Sequence, residues 1–129
     1  KLKQLIKLNI YKNRIINDLS GCHNLQILYA NYSKLKNESI QELSQIVDLR
    51  IANVEGISDL SRCCNLKVLD ASYNCGVTND SIKKLSKLNA LFVCNNKIIS
   101  DLSGCPNLQR LFVSGEDSGI TNDSIKHLV

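Results

Sequence analysis

The stretch Leu88-Asn89-Ala90-Leu91-Phe92-Val93-Cys94-Asn95-Asn96-Lys97-Ile98 decides how the rest of the chain is interpreted. It fits the pattern L-x-x-L-x-L-x-x-N-x-L, with an aliphatic residue or Asn at each constrained position. Side chains alternate between the two faces of a strand, so Leu91 and Val93 point inward and Leu88 packs beneath them. Asn96 falls at the following bend, where an inward amide can bond backbone groups that the strand leaves unpaired. The stretch therefore predicts one strand and one turn of a stacked structure.

The same pattern recurs along the whole chain of 129 residues. It opens six times, at steps of 20 to 22 residues: Leu5, Leu25, Ile46, Leu66, Leu88 and Leu108. A period of this length indicates a solenoid, in which each repeat buries its apolar face by stacking on its neighbours. We predict a single domain, 1–129, whose six repeats span about 5–24, 25–45, 46–65, 66–87, 88–107 and 108–129. Neither end has a polar capping sequence, so we expect the domain to be a segment of a longer array.

The connections between the predicted strands alternate in type. Odd repeats continue into Asp-Leu-Ser and a nearby Cys, as in 18–22, 59–63 and 101–105, which predicts a tight turn with one buried Leu. Even repeats continue into Asn37, Asn79 or Asn122, each followed by an acid, Ser and Ile. An Asn cap with an acid in the first turn indicates a short helix. The prediction is an α/β solenoid with a parallel concave sheet and convex turns and short helices.

The even repeats also carry a more specific signature. Segments 63–85 and 105–128 share Cys-x-Asn-Leu-x-x-Leu and then Gly-Val-Thr or Gly-Ile-Thr before Asn-Asp-Ser-Ile. They resemble the cysteine-containing leucine-rich repeats of F-box substrate receptors. The odd repeats, which run from Asn-x-Ile to Asp-Leu-Ser, resemble the short leucine-rich repeats of internalins. Ser33, Val54 and Glu116 depart from the Asn or Cys expected at the bend, and the 129 residues contain no F-box segment. The resemblance implies a leucine-rich-repeat horseshoe that binds protein.

Three of the six cysteines occupy a repeat position. Cys22, Cys63 and Cys105 each precede the first Leu of a repeat by three residues, where a small apolar side chain fills the corner under the strand. We predict buried free thiols at these positions. The adjacent pair Cys63 and Cys64 is poorly placed for a relaxed disulfide, and no two cysteines have the spacing C-x-x-C. We therefore expect a reducing compartment, the cytoplasm or nucleus, in preference to secretion or the cell surface.

Composition and motifs argue against several functions. The net charge is +4, with the basic residues concentrated in 1–36, but no recognised nucleic-acid-binding motif accompanies them. No apolar run is long enough to cross a membrane. His23 and His127 have no Cys or acid at a spacing that suggests a triad or metal site, and Gly-rich phosphate loops are missing. We expect a non-enzymatic protein with no catalytic residue, cofactor or metal, and with neither nucleic acid nor membrane as a partner.

Residues that alternate with the inward positions form the predicted concave surface. Seven of them are predicted to bind another protein: Tyr11, Tyr29, Arg50, Asp70, Phe92, Arg110 and Phe112. Aromatic residues and Arg are enriched at protein interfaces. Six strands spaced by about 4.8 Å make a strip about 24 Å long, which suits a modest interface. Two alternatives stay open: a structural segment whose ends pack on neighbouring repeats or subunits, and the substrate-recognition part of an F-box ubiquitin ligase.

Overall fold

A computed structural model describes residues 3–128 as a solenoid with one short strand in each coil. The strands are β1 (Lys7–Asn9), β2 (Ile27–Tyr29), β3 (Asp48–Arg50), β4 (Val68–Asp70), β5 (Ala90–Phe92) and β6 (Arg110–Phe112). They form one six-stranded sheet in sequence order, and every pairing is parallel. The predicted parallel solenoid is confirmed.

The register aligns the central leucines of all six strands in one column: Leu8, Leu28, Leu49, Leu69, Leu91 and Leu111. The column is fully buried from β2 to β5, as the alternating pattern predicted. Burial falls at the two outer strands, where Leu8 and Leu111 are half-buried. Val113, which occupies the position of the inward Val93 in the sixth repeat, is 39% exposed. Within the described residues, β6 is packed on one side alone, so its apolar side chains lack the second neighbour that buries their counterparts.

Three one-turn helices follow the even strands, as predicted: α1 (Asn37–Ile40), α2 (Asn79–Ile82) and α3 (Asn122–Ile125). The predicted Asn caps are wrong, because each Asn is the first residue inside its helix. The cap is the preceding residue, Lys36, Thr78 or Thr121, whose extended backbone N–H donates to a serine Oγ three residues on, at 2.9 to 3.0 Å. This bond uses the Ser of each Asn-x-Ser-Ile motif.

Two of the helix Asn residues, Asn37 and Asn79, serve instead to join repeats. The Oδ1 atom of Asn79 accepts the backbone N–H groups of Ser100 and Asp101 at 2.9 and 3.0 Å, and its Nδ2 donates to Ser100 Oγ at 3.1 Å. Asn37 makes the same three bonds to Ser58 and its neighbour in the third repeat. Each amide therefore links a helix to the Asp-Leu-Ser turn of the next repeat.

At the bend of the fifth repeat, the Asn96 side chain lies in the core, 1% exposed. Its Oδ1 accepts the N–H groups of Ile98 and Ile99 at 2.9 and 3.0 Å, and its Nδ2 donates to Ala71 O at 2.6 Å. The predicted role of an inward Asn is confirmed there. In the fourth repeat the bend is one residue longer, and Cys75 replaces Asn as the inward group, donating from Sγ to Ala71 O at 3.1 Å.

Candidate functional site

The sheet register arranges the predicted binding residues in rows that run across the strands. Five of the seven lie in one row, which also contains Asn9: Tyr29, Arg50, Asp70, Phe92 and Phe112. Arg110 belongs to the neighbouring row that begins at Lys7. Tyr11 lies two residues beyond the end of β1, outside the strand. Six of the seven residues therefore lie in two rows on one face of the sheet, here called the concave surface, and Tyr11 lies at its border in the turn after β1.

A stacked phenylalanine pair dominates the last two strands of the concave surface. The rings of Phe92 and Phe112 lie 4.2 Å apart between centroids, with 5° between their planes. Phe92 is half-buried and Phe112 is 42% exposed. Exposed Arg110 lies two residues before Phe112 on β6. The result is a flat apolar platform on a rigid sheet, bordered by a positive charge.

Arg50 organises the middle of the surface. Its guanidinium lies 5.6 Å from the ring centroid of Tyr29 on the adjacent β2, and it reaches across β4 to within 5.0 Å of the ring centroid of Phe92. Its Nε donates to Asp48 Oδ1 at 2.5 Å and its Nη2 to Asp48 Oδ2 at 3.1 Å. The bond to Asp48 is the main reason that the pKa of Arg50 is raised. A half-buried, paired guanidinium positions the aromatic rings and offers little free charge to a partner.

The first strands form an open hollow of about 340 Å³, lined by Asn9, Tyr11, Tyr29, Asn31 and Arg50. Its two amides have internal partners. Asn9 Oδ1 accepts the N–H of Tyr11 at 3.0 Å, and Asn31 Oδ1 accepts the N–H of Ala52 at 2.8 Å. The Lys7 ammonium lies 4.9 Å from the centroid of the Tyr29 ring. The concave surface thus has a polar, aromatic half and an apolar half.

The sequence did not predict one backbone feature of the turns that follow the strands. There, residues with the left-handed backbone conformation form a column across the repeats. Every repeat has a positive φ at the same position, between 51° and 60° for the five residues that are not glycine: Lys12, Tyr32, Asn53, Tyr73 and Asn95. Gly115 holds that position in the last repeat. Bulky residues rarely adopt this conformation. Asn53, Asn95 and Gly115 were the features of the sequence that could have predicted this conformation, because Asn and Gly tolerate positive φ best.

The cysteines divide by environment. Cys63 and Cys105 are buried as predicted, and burial raises their pKa to about 12 and about 11. The prediction that Cys22 is buried is wrong, because this residue is only half-buried. It lies in the first corner of the described part of the solenoid. Cys64 is exposed. Within residues 3–128, no group of three or more His, Cys, Asp or Glu could hold a metal ion. No helix in that range has the length and apolarity needed to cross a membrane.

Comparison with known proteins identifies the architecture. No protein-family model and no curated protein matches the chain. Its structure is similar to an internalin, InlF of Listeria monocytogenes, at a TM-score of 0.77 and 22% identity, over 98% of this chain and 39% of that one. The functional domain of InlJ from the same organism, which includes a cysteine ladder, matches at a TM-score of 0.60 and 18% identity, over 98% and 33% of the chains.

The chain has the leucine-rich-repeat fold. The internalin-like repeats inferred from the sequence are confirmed at the level of fold, whereas the resemblance to F-box receptors stays a prediction. The chain spans about two fifths of the length of InlF and one third of that of InlJ.

Proposed function

We propose that this protein is a non-enzymatic module that binds another protein through the concave surface. The observation that supports it is the Phe92–Phe112 platform. An aromatic ring that is 42% exposed on a rigid sheet keeps apolar area in water that a partner could cover. Covering Phe112 alone would contribute about 1 kcal/mol to binding, since full burial of a Phe side chain contributes about 1.5–3 kcal/mol.

The surrounding residues suggest how the binding energy would be distributed. The platform at β5 and β6 supplies an apolar patch, and Asp70 on β4 and Arg110 on β6 supply polar groups beside it; an apolar core with a polar rim is the usual anatomy of a protein interface. Arg50 holds Tyr29 and Phe92 in place through its contacts with both rings. A preformed surface loses little conformational entropy when a partner binds. Phe112, Arg110 and Tyr11 are the exposed members of the predicted set and would make the most direct contacts.

The buried free thiols support a reducing compartment, so we also propose that the protein works in the cytoplasm or nucleus.

The proposal is tested by comparing Phe112→Ser with Ile98→Ser. Ile98 is a matched control, because it is 54% exposed but lies after the bend, outside the strands. Proteins captured from the source lysate by the immobilised domain are quantified by mass spectrometry, and the leading candidate is purified and titrated by calorimetry. We expect Phe112→Ser to weaken the affinity about tenfold and Ile98→Ser to leave it unchanged. Equal affinities for all three proteins would refute the proposal.

A second candidate is a structural segment of a larger assembly. Val113 and Ile125 are 39% and 44% exposed, whereas their counterparts two repeats earlier, Ala71 and Ile82, are fully buried. A neighbouring repeat or subunit that stacks on β6 would cover these side chains. Sedimentation of the isolated domain tests this: a monomer that stays soluble at high concentration would argue against it. A role in an F-box ubiquitin ligase rests on the resemblance of the even repeats alone, and we do not propose it.

A further inference from the structure

A second surface lies beside the concave one, at the turns where the strands end. Three tyrosines meet there, Tyr11, Tyr32 and Tyr73. The first two rings pack edge to face with centroids 5.9 Å apart, and Tyr32 and Tyr73 lie 6.5 Å apart with a tilt of 40°. The last contact spans the third repeat, where the smaller Asn53 occupies the same turn position. We call this row of rings the tyrosine edge.

The tyrosine edge is strongly basic at its beginning. Lys12, Arg14, Lys34 and Lys36 are all exposed, and within residues 3–128 none of them forms an ion pair. The Lys12 ammonium lies 5.2 Å from the Tyr11 ring centroid and 6.0 Å from that of Tyr32, which holds its charge beside the rings. Unpaired cations fixed at a protein surface attract an anionic partner and determine its orientation.

A groove passes through this basic part of the edge. It has a volume of about 260 Å³ and lies between the turns of the second and third repeats. Arg14, Tyr32, Lys34 and Lys36 line it, together with a single carboxylate, Glu55. The two turns approach closely at Gly56, where a Cβ atom would come within 2.6 Å of the Leu35 carbonyl oxygen. This close packing of backbone makes the groove a fixed feature of the fold.

We propose that the tyrosine edge binds an extended acidic segment of a protein. The four cations would pair with carboxylates, and the tyrosine hydroxyls would donate hydrogen bonds to them. From the first to the fourth repeat the edge spans about 14 Å, which about four extended residues would cover. This site is separate from the concave platform and can be present whether or not that platform binds a partner.

The charge distribution favours a peptide over nucleic acid. The pI of 8.8 is below the range typical of nucleic-acid-binding domains, about 9 and above. The basic groups occupy two repeats instead of a continuous stripe, and Glu55 inside the groove would repel a phosphate chain. In the last repeat the same turn contains Glu116 and Asp117, so the positive potential fades along the edge. A short acidic segment fits this pattern better than a long polyanion.

The test is fluorescence anisotropy of a labelled peptide of eight glutamates, with a labelled oligothymidylate of eight nucleotides as the competing ligand class. Two variants probe the edge. Lys34→Glu reverses a charge in the groove, and Tyr73→Asn removes a ring while keeping a residue type that accepts positive φ. Lys84→Glu is the matched control, because it makes the same charge change beside α2. Phe112→Ser serves as the control for the concave platform.

We expect saturable binding of the glutamate peptide at low salt, weakened about tenfold by Lys34→Glu and about threefold by Tyr73→Asn. Neither control variant should change it by more than about twofold. Four results would overturn the proposal: no saturation up to about 1 mM peptide, an equal loss for Lys84→Glu and Lys34→Glu, tighter binding of the oligothymidylate than of the peptide, or loss of peptide binding in Phe112→Ser. If Phe112→Ser abolished peptide binding, the ligand would belong to the concave surface.

Discussion

Replacing Asn96 by Ala should remove two hydrogen bonds within the bend of the fifth repeat and one bond to the fourth repeat. The amide bonds the N–H groups of Ile98 and Ile99 and the carbonyl of Ala71, and the contacts to Ile99 and Ala71 are buried. Leaving a buried backbone group without its partner costs about 1–3 kcal/mol. We expect Asn96→Ala to lower the free energy of unfolding by about 3 kcal/mol, because water can replace the lost bond at Ile98 more easily than the two buried bonds.

Asn13 provides the matched control for this measurement. It occupies the same bend in the first repeat, and its Oδ1 accepts the N–H groups of Ile15 and Ile16, both at 2.9 Å. That site is partly exposed, so Asn13→Ala should cost about 1 kcal/mol. Urea unfolding followed by circular dichroism measures both values, with the m-value checked for constancy. If the two variants lost the same stability within about 0.5 kcal/mol, burial would not explain the role of Asn96.

Two further outcomes follow from the packing of the core. Burial raises the pKa of the Cys63 thiol to about 12. As pH rises above 9.0, this thiol therefore ionises in the unfolded chain before it ionises in the folded one, and the free energy of unfolding should fall. Cys63→Val should reduce this fall in unfolding curves measured at increasing pH. Gly104→Ala should cost about 2–3 kcal/mol, since the new Cβ would lie 2.2 Å from the Lys83 carbonyl oxygen. Gly21→Ala should cost less, because its Cβ meets no atom within 4 Å and the cost is limited to the strain of φ +88°. Equal melting temperatures for both glycine variants would contradict this.

The repeat pattern was sufficient to predict the solenoid, the parallel sheet and the alternation of turns with short helices. It succeeded because each repeat contacts mainly its neighbours, so a local pattern that recurs already contains the contacts of the fold. Asn96 is an example, since its spacing from Leu91 placed it at an inward bend. The prediction of the helix N-caps was wrong because Asn and Thr are both good capping residues. A choice between Thr78 and Asn79 depends on which side chain faces the next repeat.

The sequence by itself determined which residues share a face, because the two-residue period of a strand and the recurring repeat length require it. Tertiary structure decided how those residues interact. The sequence placed Arg50 among the binding residues, but the fold pairs it with Asp48 and positions it between two aromatic rings. Tyr32 and Tyr73 share one position of the repeat and Tyr11 comes one position earlier; the three are far apart in the chain, and stacking of the coils brings their rings together. Such contacts depend on side-chain directions between coils, which no single repeat specifies.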